Sequence, residues 1–272
     1  MESEVPTFKP RKRGPGHQLP NHAFKILAAP EVGNNLYANV LDWVALRDES
    51  QKLALALQDT IYLLDPLVKN SPMVAIDFNK GSKNVEQEVH SISFDRLGEA
   101  LAAGGTESLV SIFDGESGKR LRNLSCHSSV VSAIAWNRSM QLPYLIATGS
   151  ADESIIFHDV RQKMSIVTQI RNLGGPITKL SWSCQSEFSD LREMHLASAI
   201  APSVVQGKLA IWNTNDILRG KKIKPLFLDE VSHQSPIKAF CWNQLKPGMF
   251  ATGGSTTEDS VIRLYDINSL SE

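Results

Sequence analysis

The sequence has little of what secreted, membrane-spanning or metal-binding chains require. Its 272 residues include three cysteines, Cys126, Cys184 and Cys241. They are odd in number, far apart, and form neither a CxxC pair nor a cysteine–histidine zinc spacing. They read as reduced, mostly buried thiols of a cytosolic or nuclear protein, which excludes a disulfide framework and a structural metal. No apolar run approaches the ~20 residues that span a bilayer. The opening Met1-Glu2-Ser3-Glu4 has no apolar stretch of the kind a secretory signal needs. A net charge of −1 gives no global pull toward nucleic acid or anionic membrane. There is no G-x-S-x-G elbow, no P-loop and no HExxH zinc motif. The reading is of a non-enzymatic protein of nucleus and cytoplasm, without cofactor, metal, nucleic-acid or membrane partner.

What the chain does have is a repeat, in a composition that is 42% hydrophobic. A first strand recurs five times, as 38–43, 89–94, 131–136, 177–182 and 237–242. Each copy ends in Trp43, Phe94, Trp136, Trp182 or Trp242, with an apolar residue two positions earlier. That period of two marks a strand with one face buried. A second strand of small residues follows each time, as in Ile146-Ala147-Thr148-Gly149 and Phe250-Ala251-Thr252-Gly253. Small side chains suit a position where backbones approach closely. A third strand closes each unit on an acid or amide: Asp65, Asp114, Asp159, Asn213 and Asp266. The units recur every ~45–55 residues, slightly longer than the ~40–45 of a WD repeat. A β-sandwich explains alternation but not three strand types in fixed order five times. The expectation is an all-β WD-repeat β-propeller of five four-stranded blades, over about 36–65, 89–114, 127–159, 176–213 and 233–266. Residues 1–23 read as a disordered basic, Pro-rich leader and 24–272 as the propeller. Within the leader, Lys9-Pro10-Arg11-Lys12-Arg13 reads equally as a nuclear import signal or a solvated tail. Trp136, Trp182 and Trp242 are expected to be buried at equivalent positions.

Polar residues outside the strands fit the same plan. His127 precedes the third unit's first strand and Asp152 sits in its Ser150-Ala151-Asp152-Glu153 turn. The pair reads as hydrogen bonding within a blade rather than as catalysis, since buried polar groups need partners. His233 reads the same way. Gly104-Gly105-Thr106 and Gly253-Gly254-Ser255 follow a strand and open no helix, so they read as turn glycines and not as a phosphate cradle.

Several stretches resemble the Fizzy family of WD-repeat activators. They are Leu19-Pro20, Lys25-Ile26-Leu27-Ala28-Ala29-Pro30-Glu31 and Tyr37-Ala38-Asn39-Val40-Leu41-Asp42-Trp43, then Gly118–Leu124 with His127-Ser128. Further on come His158-Asp159-Val160-Arg161, Pro236–Trp242 and Ala251–Thr256. The resemblance implies a substrate-recognition adaptor of the anaphase-promoting ubiquitin ligase, in mitotic or meiotic cell-cycle control. Its partners would be subunits of that complex and protein substrates bearing KEN or destruction-box degrons. An extended peptide held on loops of a rigid scaffold is a sound use of such a fold. The alternative is a WD scaffold of the same ancestry that binds other proteins without activating the ligase.

Carried over residue by residue, the resemblance places Thr256 in a KEN pocket. It places Gln58 where a family aspartate meets the destruction-box arginine, with Asp59 next to it, one residue out of register. Ala199-Ile200-Ala201-Pro202-Ser203 stands where the family carries paired asparagines, which removes amides that would read KEN. The resemblance therefore implies weakened KEN binding. The family propeller has seven blades, and five are readable here, which predicts an incomplete ring. The family's C-box and terminal Ile-Arg tail are not found in the sequence.

Overall fold

The computed structural model describes residues 38–46, 49–80, 87–125, 127–183, 194–203, 206–220, 223–243, 245–256 and 259–269. The expected leader, and the segment that runs from it to residue 37, lie outside the described residues. Within them, each repeat becomes one antiparallel meander. Blade one is β1 (Leu41–Ala45), β2 (Gln51–Leu57), β3 (Thr60–Leu64) and β4 (Val74–Asp77). Blade two is β5 (Val89–Phe94), β6 (Ala100–Gly105), β7 (Leu109–Asp114) and β8 (Arg120–Ser125). Blade three is β9 (Val131–Trp136), β10 (Leu145–Ser150), β11 (Ile155–Asp159) and β12 (Ile166–Ile170). Blade four is β13 (Ile177–Trp182), β14 (His195–Ser203), β15 (Gln206–Asn213) and β16 (Phe227–His233), with helix α1 (Thr214–Arg219) between its last two strands.

Blade five departs from the expected four strands. It holds three among the described residues, β17 (Ile237–Trp242), β18 (Met249–Gly254) and β19 (Ile262–Asp266). A 3-10 turn, Ile267–Ser269, follows β19, and no described segment pairs with its outer edge.

The acids that end the third strands turn the chain toward the fourth. Asp65 Oδ1 accepts from the Leu67 N–H at 2.8 Å, Asp114 Oδ1 from Ser117 at 2.7 Å and Asp159 Oδ1 from Arg161 at 3.0 Å. In blade four, Asn213 Oδ1 accepts from the Asn215 N–H at 2.8 Å and so caps α1.

The first strands stand side by side. β1 packs on β5, β5 on β9, β9 on β13 and β13 on β17. Between each pair of blades lies apolar core. Phe94, Leu101 and Phe113 of blade two meet Ile61 and Leu63 of blade one, while Phe157 and Leu145 of blade three meet Leu196 and Trp212 of blade four. Among the described residues the five blades do not close into a ring, as expected. Blades one and five meet near the axis, where Lys238 Nζ donates to the Ala38 carbonyl. Their outer faces stay uncovered: Leu41 and Trp43 on one side, and Ile262 and Leu264, each about three-quarters exposed, on the other.

Of the three tryptophans expected in the core, Trp136 and Trp242 are buried. Trp182 is half-buried, because it also lines a cavity on the axis. Its indole N–H still donates to the Ala135 carbonyl of the neighbouring blade at 3.0 Å.

The paired glycines are strand residues and not turn residues. Gly104 and Gly105 end β6, and Gly253 and Gly254 end β18. None of the four has a positive φ. A Cβ on Gly104 would lie 2.7 Å from Val131 Cγ1 of the next blade, and one on Gly149 would lie 2.5 Å from Ile177 Cγ2. Close stacking of blades, not turn geometry, requires glycine at these two sites.

Candidate degron-binding loops and an axial cavity

The blade histidines are fixed by polar networks. His127 Nδ1 lies 3.0 Å from Asp152 Oδ2, and its Nε2 lies 2.9 Å from Thr148 Oγ1. Asp152 also accepts from the Ser128 and Ser154 N–H groups and from the Ser154 hydroxyl. Burial pushes the Asp152 carboxyl up, but the Ser154 and Ser128 hydrogen bonds and His127 outweigh it, leaving its pKa below the ordinary value. Burial lowers the pKa of His127, against the opposing pull of Asp152. His233 repeats the arrangement, with Asp259 Oδ2 at 2.7 Å and Thr252 Oγ1 at 2.8 Å. Asp259 escaped the sequence reading, although a signal existed. It follows His233 by 26 residues, much as Asp152 follows His127 by 25. The serine and threonine hydroxyls around each pair, Ser154 and Thr148 at His127 and Ser235 and Thr252 at His233, are engaged in these bonds, so each network reads as a satisfied blade interior.

The residues singled out for degron contact fall on the two end blades. Gln58 is exposed in the tight β2–β3 turn at φ +53°, and its carbonyl accepts from the Val89 N–H of blade two. Asp59 follows it, with its carboxylate held by Thr60 Oγ1 at 3.0 Å and Asn79 Nδ2 at 3.1 Å. Those bonds turn the carboxylate toward its own blade. Thr256 is exposed beyond the end of β18, and its carbonyl accepts from the Asp259 N–H. In blade four, the segment that replaces the paired asparagines continues as strand through Ser203. Ala199, Ile200 and Ala201 are buried there and carry no side-chain amide, while Gln206 across the hairpin spends its amide on the Glu230 carbonyl at 2.8 Å.

Sequence reasoning gave no hint of the axis. First strands from all five blades surround a cavity of about 580 Å³. Asn39 crosses it: its Nδ2 donates to the Ser132 and Thr178 carbonyls, both at 3.0 Å, and its Oδ1 accepts from Lys179 Nζ at 2.8 Å. Asp42 forms an ion pair with Arg138 Nη2 and accepts from the Phe94 N–H at 2.7 Å. Arg138 also donates to the Trp43 carbonyl, so blades one and three are tied through this corner. Among the described residues no group of three or more histidines, cysteines and carboxylates could hold a metal, and no helix is long and apolar enough to cross a membrane.

Comparison with known proteins places this geometry. Residues 36–139 match the anaphase-promoting complex subunit 4 WD40 domain. Cell division cycle 20.1, cofactor of APC complex, from Arabidopsis thaliana is 31% identical over 248 residues, which is 90% of this chain and 48% of that protein. Over most of its length this chain is similar to Fizzy-type activators. A second relative of that type, APC/C activator protein CDH1 of Saccharomyces cerevisiae, is 26% identical over 273 residues, covering 99% of this chain and 42% of its own. The chain thus spans about half the length of the Fizzy-type relatives it matches. Among solved structures, a chain of the mitotic checkpoint complex superposes with a TM-score of 0.72 at 22% identity, covering 99% of this chain and 73% of that one. At that identity the likeness establishes the fold.

Proposed function

We propose that this chain supplies substrate-recognition blades of an activator of the anaphase-promoting complex, in cell-cycle control, in nucleus and cytoplasm. The observation that carries the reading is similarity along 90% of the chain or more to proteins named as cofactors or activators of that complex. The chain does no chemistry of its own and needs no cofactor or metal. Its partners are subunits of the complex and degron-bearing substrates, not nucleic acid or membrane.

Thr256 and the Gln58-Asp59 turn are the contacts assigned to the degron. Thr256 contributes a hydroxyl that both donates and accepts. Gln58 offers an exposed amide where a carboxylate would meet an arginine, and the Asp59 charge lies beside it. The missing amides of blade four weaken a KEN peptide. Each net hydrogen bond is worth roughly 0.5–1.5 kcal/mol, so three or four lost bonds cost about one to four orders of magnitude in affinity.

The burial of Ala199–Ala201 favours a second reading, a scaffold of the same ancestry that binds other proteins. Titration of fluorescent KEN and destruction-box peptides against the chain and its Thr256→Ala variant separates the two. Saturable binding, weakened in the variant, is the result the receptor reading requires. No binding of either peptide by either protein leaves the scaffold reading standing.

A further inference from the structure

Lys179 lines the axial cavity and its charge reaches Lys238, and the degron reading uses neither lysine. Lys179 Nζ donates to Asn39 Oδ1 at 2.8 Å, and Lys238 Nζ donates to the Ala38 carbonyl at 2.7 Å. An ammonium carries three N–H donors, so two on each lysine have no acceptor among the described residues. Neither lysine has a carboxylate within ion-pair distance among those residues. Asp42, the one carboxylate lining the cavity, is committed to Arg138 and to the Phe94 N–H. Lys179 is half-buried and lines the cavity.

Burial holds both lysines below the ordinary ammonium range, and the Lys179 charge lowers Lys238 further. Asp42 offsets only part of the cost of taking Lys179 out of water, and two desolvated cations close together repel. A dianion on the spare donors reverses both effects. The space suffices, since small-molecule pockets run ~300–1,000 Å³.

We propose that this part of the axial cavity is a binding site for a small oxyanion of the phosphate class, held by Lys179 with Lys238 supplying the second charge. Two ammonium groups, with Asp42 the one cavity-lining carboxylate near them and already held by Arg138, match a dianionic phosphate better than a single carboxylate. Free phosphate and a small phosphate ester present the same group, and the test separates them. The site is independent of the degron reading, because it uses neither Thr256 nor the Gln58 turn.

The test is thermal unfolding of the full chain during titration with inorganic phosphate or glycerol phosphate, at ionic strength held constant with sodium chloride. The wild type is expected to show a saturable rise in Tm with phosphate and none with chloride. A larger rise with glycerol phosphate identifies an ester as the better ligand. Lys179→Met is expected to raise Tm without ligand, since it removes a desolvated charge that Asp42 only partly offsets, and to abolish the response. Lys238→Met is expected to weaken it. Phosphorus NMR line broadening of phosphate on the wild type reads binding without any variant. No broadening and no Tm response in the wild type, or an equal response in Lys179→Met, overturns the proposal.

Discussion

His127 Nε2 and His158 Nε2 contact one and the same hydroxyl, Thr148 Oγ1, at 2.9 and 3.3 Å. The chain of polar groups runs on from His158 Nδ1 to Ser165 Oγ at 3.1 Å, so it crosses blade three from the segment before β9 to the residue before β12. In blade four the matching position is Trp212, whose indole N–H donates to Ser198 Oγ at 2.8 Å. Blade three thus carries a titratable ring where its neighbour carries a neutral one.

That difference makes stability depend on pH. Burial, then the nearby His127 and Arg122 charges, pushes His158 from its ordinary 6.5 down to about 4. The unfolded chain therefore takes up a proton first as pH falls. Stability from this group is complete above about pH 6.5 and is lost on the way down to about pH 4. The loss is on the order of 3 kcal/mol. Urea unfolding across that window is expected to show the slope, and His158→Gln to flatten most of it. A slope unchanged in His158→Gln would assign the effect to other groups.

Glycine at the end of the second strand is needed where another blade stacks on it. Gly149→Ala brings a Cβ to 2.5 Å from the buried Ile177 side chain, and Gly104→Ala meets Val131 at 2.7 Å. Each is expected to cost ~1–3 kcal/mol through overpacking. Gly253 occupies the same place in blade five, but the contact there is Ala239 Cβ at 3.4 Å, an ordinary packing distance. Gly253→Ala is expected to be neutral or slightly stabilising. Chemical denaturation of the three variants tests the ordering.

The tryptophans should rank by burial. Trp212 is 2% exposed and sits in the core between blades three and four. Trp212→Ala is expected to cost ~3–5 kcal/mol. Trp182→Ala, which opens onto the axial cavity, is expected to cost less. An equal or greater loss for Trp182 would mean that the cavity is closed in solution.

The Asp42–Arg138 corner should tie blade one to blades two and three. Asp42→Ala removes the acceptor of the Phe94 N–H and leaves Arg138 without its counter-charge. A loss of about 1–2 kcal/mol is expected, kept modest because Arg138 is partly exposed. Hydrogen exchange should quicken in β1 and β5 before β13. Uniform quickening would show that the corner stabilises the whole arc instead.

The sequence by itself determined the repeat, the first three strands of each blade and the likeness to Fizzy-type activators. All three are carried by short segments whose period of burial and terminal acid are local properties. It expected four strands per blade but did not place the fourth. β8 and β12 lie outermost and alternate mostly exposed residues, so they carry almost no apolar signal. Only the tertiary structure decided that Asn39 crosses the axis to blades three and four, that Asp42 meets Arg138 across 96 positions, and that Asp59 turns to Asn79. It also decided which glycines are indispensable. Gly104 and Gly253 end the same kind of strand, and they differ in what stacks against them. Such relationships depend on which blades become neighbours, and that is fixed by packing between segments far apart in the chain.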